Sequence, residues 1–159
     1  MKILLVKPNP SPQSINLQSF MICEPLELEY CAALLHKLGH ESRIADLVID
    51  KSFPKALTTD HYDAVAFTAY QVHIGIVKKY AAYAKKVRPD IVTMVGGVQA
   101  EVVPQSFDDE NIDVVLTGGL TALEAVIGAM ERGESRQKLK ELGRTPARAN
   151  FDFPFPDRS

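Results

Sequence analysis

The chain has 159 residues, 46% of them hydrophobic, which is the length and composition of one domain with one sheet covered on both faces. Its 18 Lys and Arg against 20 Asp and Glu give a formal charge of −2, which argues against nucleic acid or an anionic membrane as a partner. The apolar run from Ile3 to Val6 is too short for a secretory signal or a membrane span, so we expect a cytoplasmic protein. In that compartment Cys23 and Cys31 are expected to be reduced, buried thiols rather than a disulfide.

Short runs rich in β-branched residues alternate along the chain with longer helical patterns, which is typical of a parallel sheet built from βαβ units. The runs predicted as strands are Lys2–Val6, the end of the motif LGHESRIADL, Ala64–Ala69, Ile91–Val95 and Val114–Leu116. The run AVAFTA is almost wholly apolar, as expected of a central strand that helices cover on both faces. The pattern therefore predicts an α/β fold with a doubly wound, five-stranded parallel sheet.

Helical patterns fill the segments between these strands. The predicted helices are one from Pro25 closed by Gly39, a short one at 53–58, one at 74–87, one at 99–107 broken at Pro104, one at 121–132 closed by Gly133, and a last one to Leu142. The tail beyond the last helix contains Phe151, Phe153 and Phe155 and is too apolar for a plain disordered end. Two arrangements remain open for it: packing back on its own domain, or continuation into a partner domain.

In an open parallel sheet, ligands bind beyond the carboxyl ends of the strands. The loops to consider there are 8–14, 68–73, 96–99 and 118–121. Two of them begin with paired glycines, Gly96-Gly97 and Gly118-Gly119, which let a ligand approach the backbone closely. The chain contains no GxGxxG, no GxxxxGK[ST] and no GxSxG, and its histidines lack the spacing of zinc ligands. We therefore predict a binding site, with no catalytic residue and no metal ligand assigned.

Several segments, taken in order, resemble the cobalamin-binding domain of the cobalamin-dependent radical SAM enzyme family. They are KILLVKPNP, EPLELEYCAALLHKLGHESRIADL, YDAVAFTAYQ, RPDIVTMVGGVQAEVVPQSF and IDVVLTGG. The resemblance implies a Rossmann-like or flavodoxin-like sheet in the order 2-1-3-4-5. It also implies a cobalamin-binding domain at 1–133, followed at 134–159 by a helix and a linker toward a downstream radical SAM domain.

By this resemblance, cobalamin lies across the carboxyl edge of the sheet and its nucleotide tail enters between strands. Thr68, Gly96, Gly97 and Gly118 are then expected to line the tail. The lower side of the corrin is expected to face the residues that follow the third strand, namely Tyr70, Gln71 and His73. The remaining residues of the predicted cofactor-binding set are Asn9, Val98 and Gly119.

Two departures from related patterns bear on this prediction. The DxHxxG motif that supplies an axial histidine in methionine synthase and the mutases is missing, which fits the radical SAM branch. Where the family often has GEGE after the fifth strand, this chain has Gly118-Gly119-Leu120-Thr121 and so lacks both acidic residues of that loop. For His73, axial ligation of cobalt and a capping role both remain open.

The chain lacks the CxxxCxxC motif that holds the radical SAM iron–sulfur cluster, so a 4Fe-4S cluster and S-adenosylmethionine belong to the expected downstream domain. Our first hypothesis is a cobalamin-binding module that serves methyl transfer or a related radical reaction of the full-length enzyme. Two rivals are a degenerate module kept for docking without a ligand, and a small flavodoxin-like enzyme or nucleotide binder that holds phosphate at the Gly96 or Gly118 loop.

Overall fold

The computed structural model describes residues 1–10, 24–149 and 154–156. Its strands are β1 (Lys2–Lys7), β2 (Glu41–Asp46), β3 (Ala64–Thr68), β4 (Val92–Gly96) and β5 (Val114–Val115). All neighbouring strands are parallel, and their order is β2-β1-β3-β4-β5. The predicted doubly wound sheet and its 2-1-3-4-5 order are therefore confirmed.

Alternating side chains of the sheet form two hydrophobic cores, one on each face. The helices are α1 (Leu26–Lys37), α2 (Leu47–Asp50), α3 (Phe53–Thr58), α4 (Ile74–Val87), α5 (Val98–Val102), α6 (Gly119–Glu131) and α7 (Arg136–Leu142). Leu4 and Val6 of β1 face a core with α3 and α4, whereas Ile3 and Leu5 face a core with α1, α6 and α7. This alternation is the period of two that a strand imposes, and it explains why β1 and β3 are buried throughout their central residues.

The ends of the helices follow the signals in the sequence. Gly39 takes a φ of 81° just after α1, and its N–H donates to the carbonyl of His36. The predicted break at Pro104 is present, because α5 ends at Val102 and a separate 3-10 turn runs over Pro104–Phe107. The short helix α2 was not predicted; the Asp46 side chain caps it by accepting from the N–H of Val48 at 3.0 Å.

A cluster of charged side chains connects the amino ends of β4 and β5 to the neighbouring helices through hydrogen bonds and ion pairs. The Oδ2 atom of Asp113 accepts from Lys85 Nζ at 2.6 Å, from Arg136 Nη1 at 3.0 Å and from the N–H of Thr93 at 2.8 Å. The Asp113 side chain is only 12% exposed, so it depends on these donors for its solvation. This cluster joins α4, β4 and α7.

The segment after α6 packs on the edge of the sheet. Leu139 of α7 is buried in the core with α6, and the carbonyl of Gly143 accepts from the N–H of Thr117 at 2.9 Å. The described part of the segment from residue 134 thus contacts the domain, while a linker role for its end stays a prediction. Phe155 is 92% exposed, and Phe151 and Phe153 lie outside the described residues. Among the helices of the described ranges, none has the length and hydropathy needed to cross a membrane.

Candidate ligand pocket at the carboxyl edge of the sheet

A pocket of about 290 Å³ lies at the carboxyl edge of the sheet, where α1, α5 and α6 begin. The crossover connections place these helix starts beside the ends of β4 and β5, which is where a parallel sheet offers a ligand site. Among the described residues, the wall of this pocket is mainly apolar and includes no Lys or Arg: Glu27, Tyr30, Cys31, Gly96, Gly97, Val98, Glu101, Leu116, Gly119, Leu120 and Leu123.

Gly97 brings the backbone of β4 against that of β3. Its φ is 89°, a conformation that favours glycine, and a Cβ at this position would lie 2.8 Å from Thr68 Oγ1 and 2.9 Å from the Ala69 nitrogen. The carbonyl of Gly96 accepts from the N–H of Ala69 at 2.9 Å, which continues the pairing of β3 with β4. The missing side chain of Gly97 therefore permits the close approach of the two strand ends, because the place that a Cβ would take is filled by the Thr68 hydroxyl and the Ala69 backbone.

Glu27 connects α1 to the end of β3. The Thr68 hydroxyl donates to Glu27 Oε2 at 2.5 Å, and the Tyr70 hydroxyl donates to Glu27 Oε1 at 3.3 Å. Thr68 is buried and paired with Gly96 in the sheet. Its hydroxyl therefore holds the Glu27 carboxylate in a defined place, although Glu27 as a whole is exposed. Burial, and then the Glu27 charge, raise the pKa of Tyr70.

Tyr70 and His73 close a tight 3-10 turn after β3. The backbone N–H of Tyr70 donates to His73 Nδ1 at 3.2 Å, and the backbone N–H of His73 donates to the Tyr70 carbonyl at 2.9 Å. The His73 side chain is 2% exposed, and its Nε2 atom has no hydrogen-bond partner within the described ranges. Burial, followed by the charge of Lys7, lowers the pKa of His73. With Nδ1 as an acceptor, the neutral ring carries its proton on Nε2.

Cys31 lines the pocket as a free thiol. Desolvation, with a smaller contribution from the charge of Glu27, raises the pKa of Cys31 to about 12. The thiol is therefore protonated at neutral pH and behaves as a weakly polar part of the wall. Cys23 lies outside the described residues.

The structure brings several of the predicted site residues together. Gly96, Gly97, Val98 and Gly119 line the pocket, and Thr68 borders it through Gly97 and Glu27. The predicted residues after β3 form the adjoining turn, in which Tyr70 and Gln71 are exposed and His73 is buried.

Two predicted residues stand apart from this group. Asn9 is half-buried beyond the end of β1. Gly118 is covered by the C-terminal segment, because a Cβ there would lie 1.8 Å from the Thr145 carbonyl oxygen. The binding roles of all the predicted site residues stay predictions.

Glu27 and Glu101 line the pocket but were not among the residues predicted from the sequence. The signal available for Glu27 was its position in the first turn of the first predicted helix, which the fold places at the carboxyl edge. The contact with Thr68 spans 41 residues of chain, and the sequence offers no cue to it. Glu101 lies against α6: a Cβ on Gly119 would be 3.6 Å from its Oε1 atom.

A second, larger cleft of about 660 Å³ lies between α5, its following 3-10 turn and the segment after α7. Lys140 and Arg144 supply its basic wall, and Glu101 is shared with the first pocket. The two openings differ in charge, since basic side chains of the described residues line the second and not the first. Within residues 1–10, 24–149 and 154–156, no three His, Cys, Asp or Glu side chains are grouped to hold a metal ion.

Comparison with known proteins adds two findings. The family model described as B12 binding domain matches residues 14–127. Hopanoid C-3 methylase of Methylococcus capsulatus is 33% identical to this chain over 124 residues, which is 74% of this chain and 24% of that protein. The chain thus spans about a quarter of the length of this relative.

Proposed function

This chain belongs to the B12-binding domain family, as its sequence resemblance predicted, and we propose that it binds cobalamin across the carboxyl edge of the sheet. The observation that carries the proposal is the pocket at that edge, with Gly97 forming its backbone wall. The family match covers β3 and β4, which build this wall, as well as the helices that surround it.

The residues present fit the nucleotide tail of such a cofactor. The tail ends in a flat, apolar base, and the pocket offers Leu116, Leu120 and Leu123 as an apolar surface. A Cβ on Gly97 would meet Thr68, so the glycine is required for the approach of the two strands that shapes this wall. Thr68, Gly96, Gly97, Val98 and Gly119 are proposed to contact the tail.

The surface beside the pocket suits a broad ring. Tyr70, Val72 and Val98 are large hydrophobic side chains that are exposed, and all three follow the carboxyl ends of β3 or β4. Exposed apolar side chains at one edge favour a ligand or partner that covers them. In this proposal Tyr70 and Gln71 face the lower side of the corrin, and Asn9 contacts its rim.

His73 is proposed to position the turn rather than to ligate cobalt. Its Nδ1 atom already accepts from the N–H of Tyr70, and its ring is buried. This turn places the Tyr70 side chain at the surface, where it is 49% exposed.

We assign the domain to a longer enzyme that carries out methyl transfer or a related radical reaction in a downstream radical SAM domain. The similarity to Hopanoid C-3 methylase supports methyl transfer, and the order of motifs in this chain resembles the cobalamin-dependent radical SAM enzyme family. When bound, cobalamin supplies a cobalt centre that can carry a methyl group. This chain's own residues hold the cofactor, and the cluster and S-adenosylmethionine belong to the downstream domain.

A second candidate is a degenerate domain that has kept the fold for docking but binds no ligand. The observation that favours it is Gly118, which is covered by the Thr145 carbonyl and follows no GEGE pattern. Under this alternative, cobalamin would not bind at all.

Titration with hydroxocobalamin, followed by its ultraviolet-visible spectrum and by retention on a desalting column, tests the proposal. Val98→Trp should fill the pocket from its rim, since Val98 lines it and is 49% exposed. Val102→Trp is the matched control: it lies one turn along α5, is 72% exposed and is outside the pocket wall.

We expect binding by the wild type and Val102→Trp and at least about tenfold weaker binding by Val98→Trp, because a bulky side chain would overlap the ligand. Equal binding by the two tryptophan variants would contradict this location for the ligand. Absence of binding by the wild type up to tens of micromolar would favour the docking alternative.

A further inference from the structure

The pocket is acidic on its polar side. Glu27 comes from α1 and Glu101 from α5, and no Lys or Arg of the part of the chain that the structure describes lines the wall. Two carboxylates disfavour a phosphate group by like-charge repulsion. They favour neutral groups that donate hydrogen bonds. The polar end of a ligand that enters here should therefore carry hydroxyl or N–H groups.

Glu27 is the better oriented of the two acceptors. Its Oε2 atom accepts from the buried hydroxyl of Thr68, and its Oε1 atom accepts from the hydroxyl of Tyr70. An ionised carboxylate has about four acceptor positions, so these two donors leave room for a ligand donor. Because two side chains from the β3 end hold the carboxylate, a ligand donor would meet it without the full cost of ordering a free side chain.

We propose that Glu27 is a specificity-determining residue that accepts a hydrogen bond from a ribose hydroxyl of the nucleotide tail. The inference rests on the proposed function, since it concerns the same ligand. Dimethylbenzimidazole carries no N–H, so the ribose hydroxyls are the donors that the base end of the tail offers. The phosphate stays outside the pocket, away from Glu27 and Glu101, and the apolar base contacts the leucines of the wall.

The test compares two corrinoids that share the corrin ring and its amides. Hydroxocobalamin carries the nucleotide tail, and aquohydroxocobinamide lacks it. Affinities of both are measured by spectral titration for the wild type, Glu27→Ala, Glu27→Gln and Glu110→Gln. Glu110 is an exposed carboxylate outside the pocket, which controls for the change in net charge. Thermal unfolding of each variant reports whether the fold is retained.

We expect Glu27→Ala to weaken cobalamin binding by at least about tenfold, the effect of losing one hydrogen bond to a charged group. Cobinamide binding should change less than about twofold, because that ligand has no ribose. Glu27→Gln should fall between the wild type and Glu27→Ala, since its amide oxygen remains an acceptor. Glu110→Gln should match the wild type with both ligands.

Each other result overturns the inference. Equal losses for both corrinoids would mean that Glu27 acts on the fold or on the corrin. Unchanged or tighter binding of cobalamin by Glu27→Ala would mean that the carboxylate does not hold the tail. Failure of the wild type to bind either corrinoid would overturn the proposed function itself, whereas binding of both with no dependence on Glu27 would overturn this inference alone.

Discussion

Thr68 Oγ1 lies 2.8 Å from the position that a Cβ on Gly97 would take. The ends of β3 and β4 therefore approach each other as closely as a glycine permits, and the Thr68 hydroxyl is directed from this junction to Glu27. One residue without a side chain thus sets both the shape of the pocket wall and the place of its carboxylate.

Gly97→Ala should lower the free energy of unfolding by about 1–3 kcal/mol, because alanine is strained at positive φ and its Cβ would meet backbone and the Thr68 hydroxyl. Gly75→Ala is the control: it lies in α4, and a Cβ there has no atom within 4 Å. We expect that control to be neutral or to raise stability by up to about 1 kcal/mol. Urea denaturation measures both, and equal stabilities would contradict the close approach.

Asp113→Asn should destabilise the domain by about 2–4 kcal/mol, because Lys85 and Arg136 would lose their shared carboxylate in a mostly buried cluster. Glu141→Gln removes a carboxylate from an exposed pair with Lys138 and should cost less than about 0.5 kcal/mol. Chemical denaturation of the two variants checks the difference. A cost for Asp113→Asn as small as that of the control would refute the structural role of the cluster.

Cys31 should react slowly with thiol reagents even though it lines a pocket, because its pKa of about 12 leaves little thiolate at pH 8. In a Cys23→Ser background, we expect disulfide exchange at least about a hundredfold slower in the native chain than in denaturant. The native rate should continue to rise well above pH 9. A rate that levels off near pH 8.5 would show an ordinary thiol.

His73 should make the free energy of unfolding depend on pH below about 6.5, the ordinary pKa of a histidine. Because burial and then Lys7 lower its pKa in the fold, the unfolded chain takes up a proton first as pH falls through about 6.5. The stabilisation is therefore complete above about pH 6.5 and is lost as the pH falls toward the native pKa.

The His73→Asn variant keeps an acceptor for the N–H of Tyr70 and removes the titration. Its free energy of unfolding should fall less than that of the wild type between pH 7.5 and 5.5. His61→Asn changes an exposed histidine and is the control, expected to follow the wild type. A wild-type slope equal to that of His73→Asn would contradict the buried neutral ring.

Strands β1, β3 and β4 were predictable because their apolar runs are short, rich in β-branched residues and separated by helical patterns, as expected of parallel strands that helices cover on both faces. The paired glycines likewise indicated the edge at which a pocket forms. Glu27 was not predictable as part of that pocket, since a charged residue in a first helical turn is normally a solvated one and its partner Thr68 is distant in sequence.

Gly118 is the opposite case from Glu27: the sequence predicted it as a ligand contact, but the structure places it against another segment of the chain. In the sequence it is equivalent to Gly96, as the first glycine of a pair after a strand. In the fold, the chain after α7 returns to this point and places the Thr145 carbonyl against it. A long-range return of this kind has no local pattern, so the sequence could not distinguish a glycine that faces a ligand from one that makes room for its own chain.

The strand order also governs how this domain can be assembled during synthesis. β1 is the first of the five strands to leave the ribosome, yet it lies between β2 and β3. Its pairing therefore cannot be completed until residue 67 of β3 has emerged, and the apolar side chains of β1 must remain without their final neighbours until then. β4 and β5 afterwards add in order at one side, so the ligand edge is completed last.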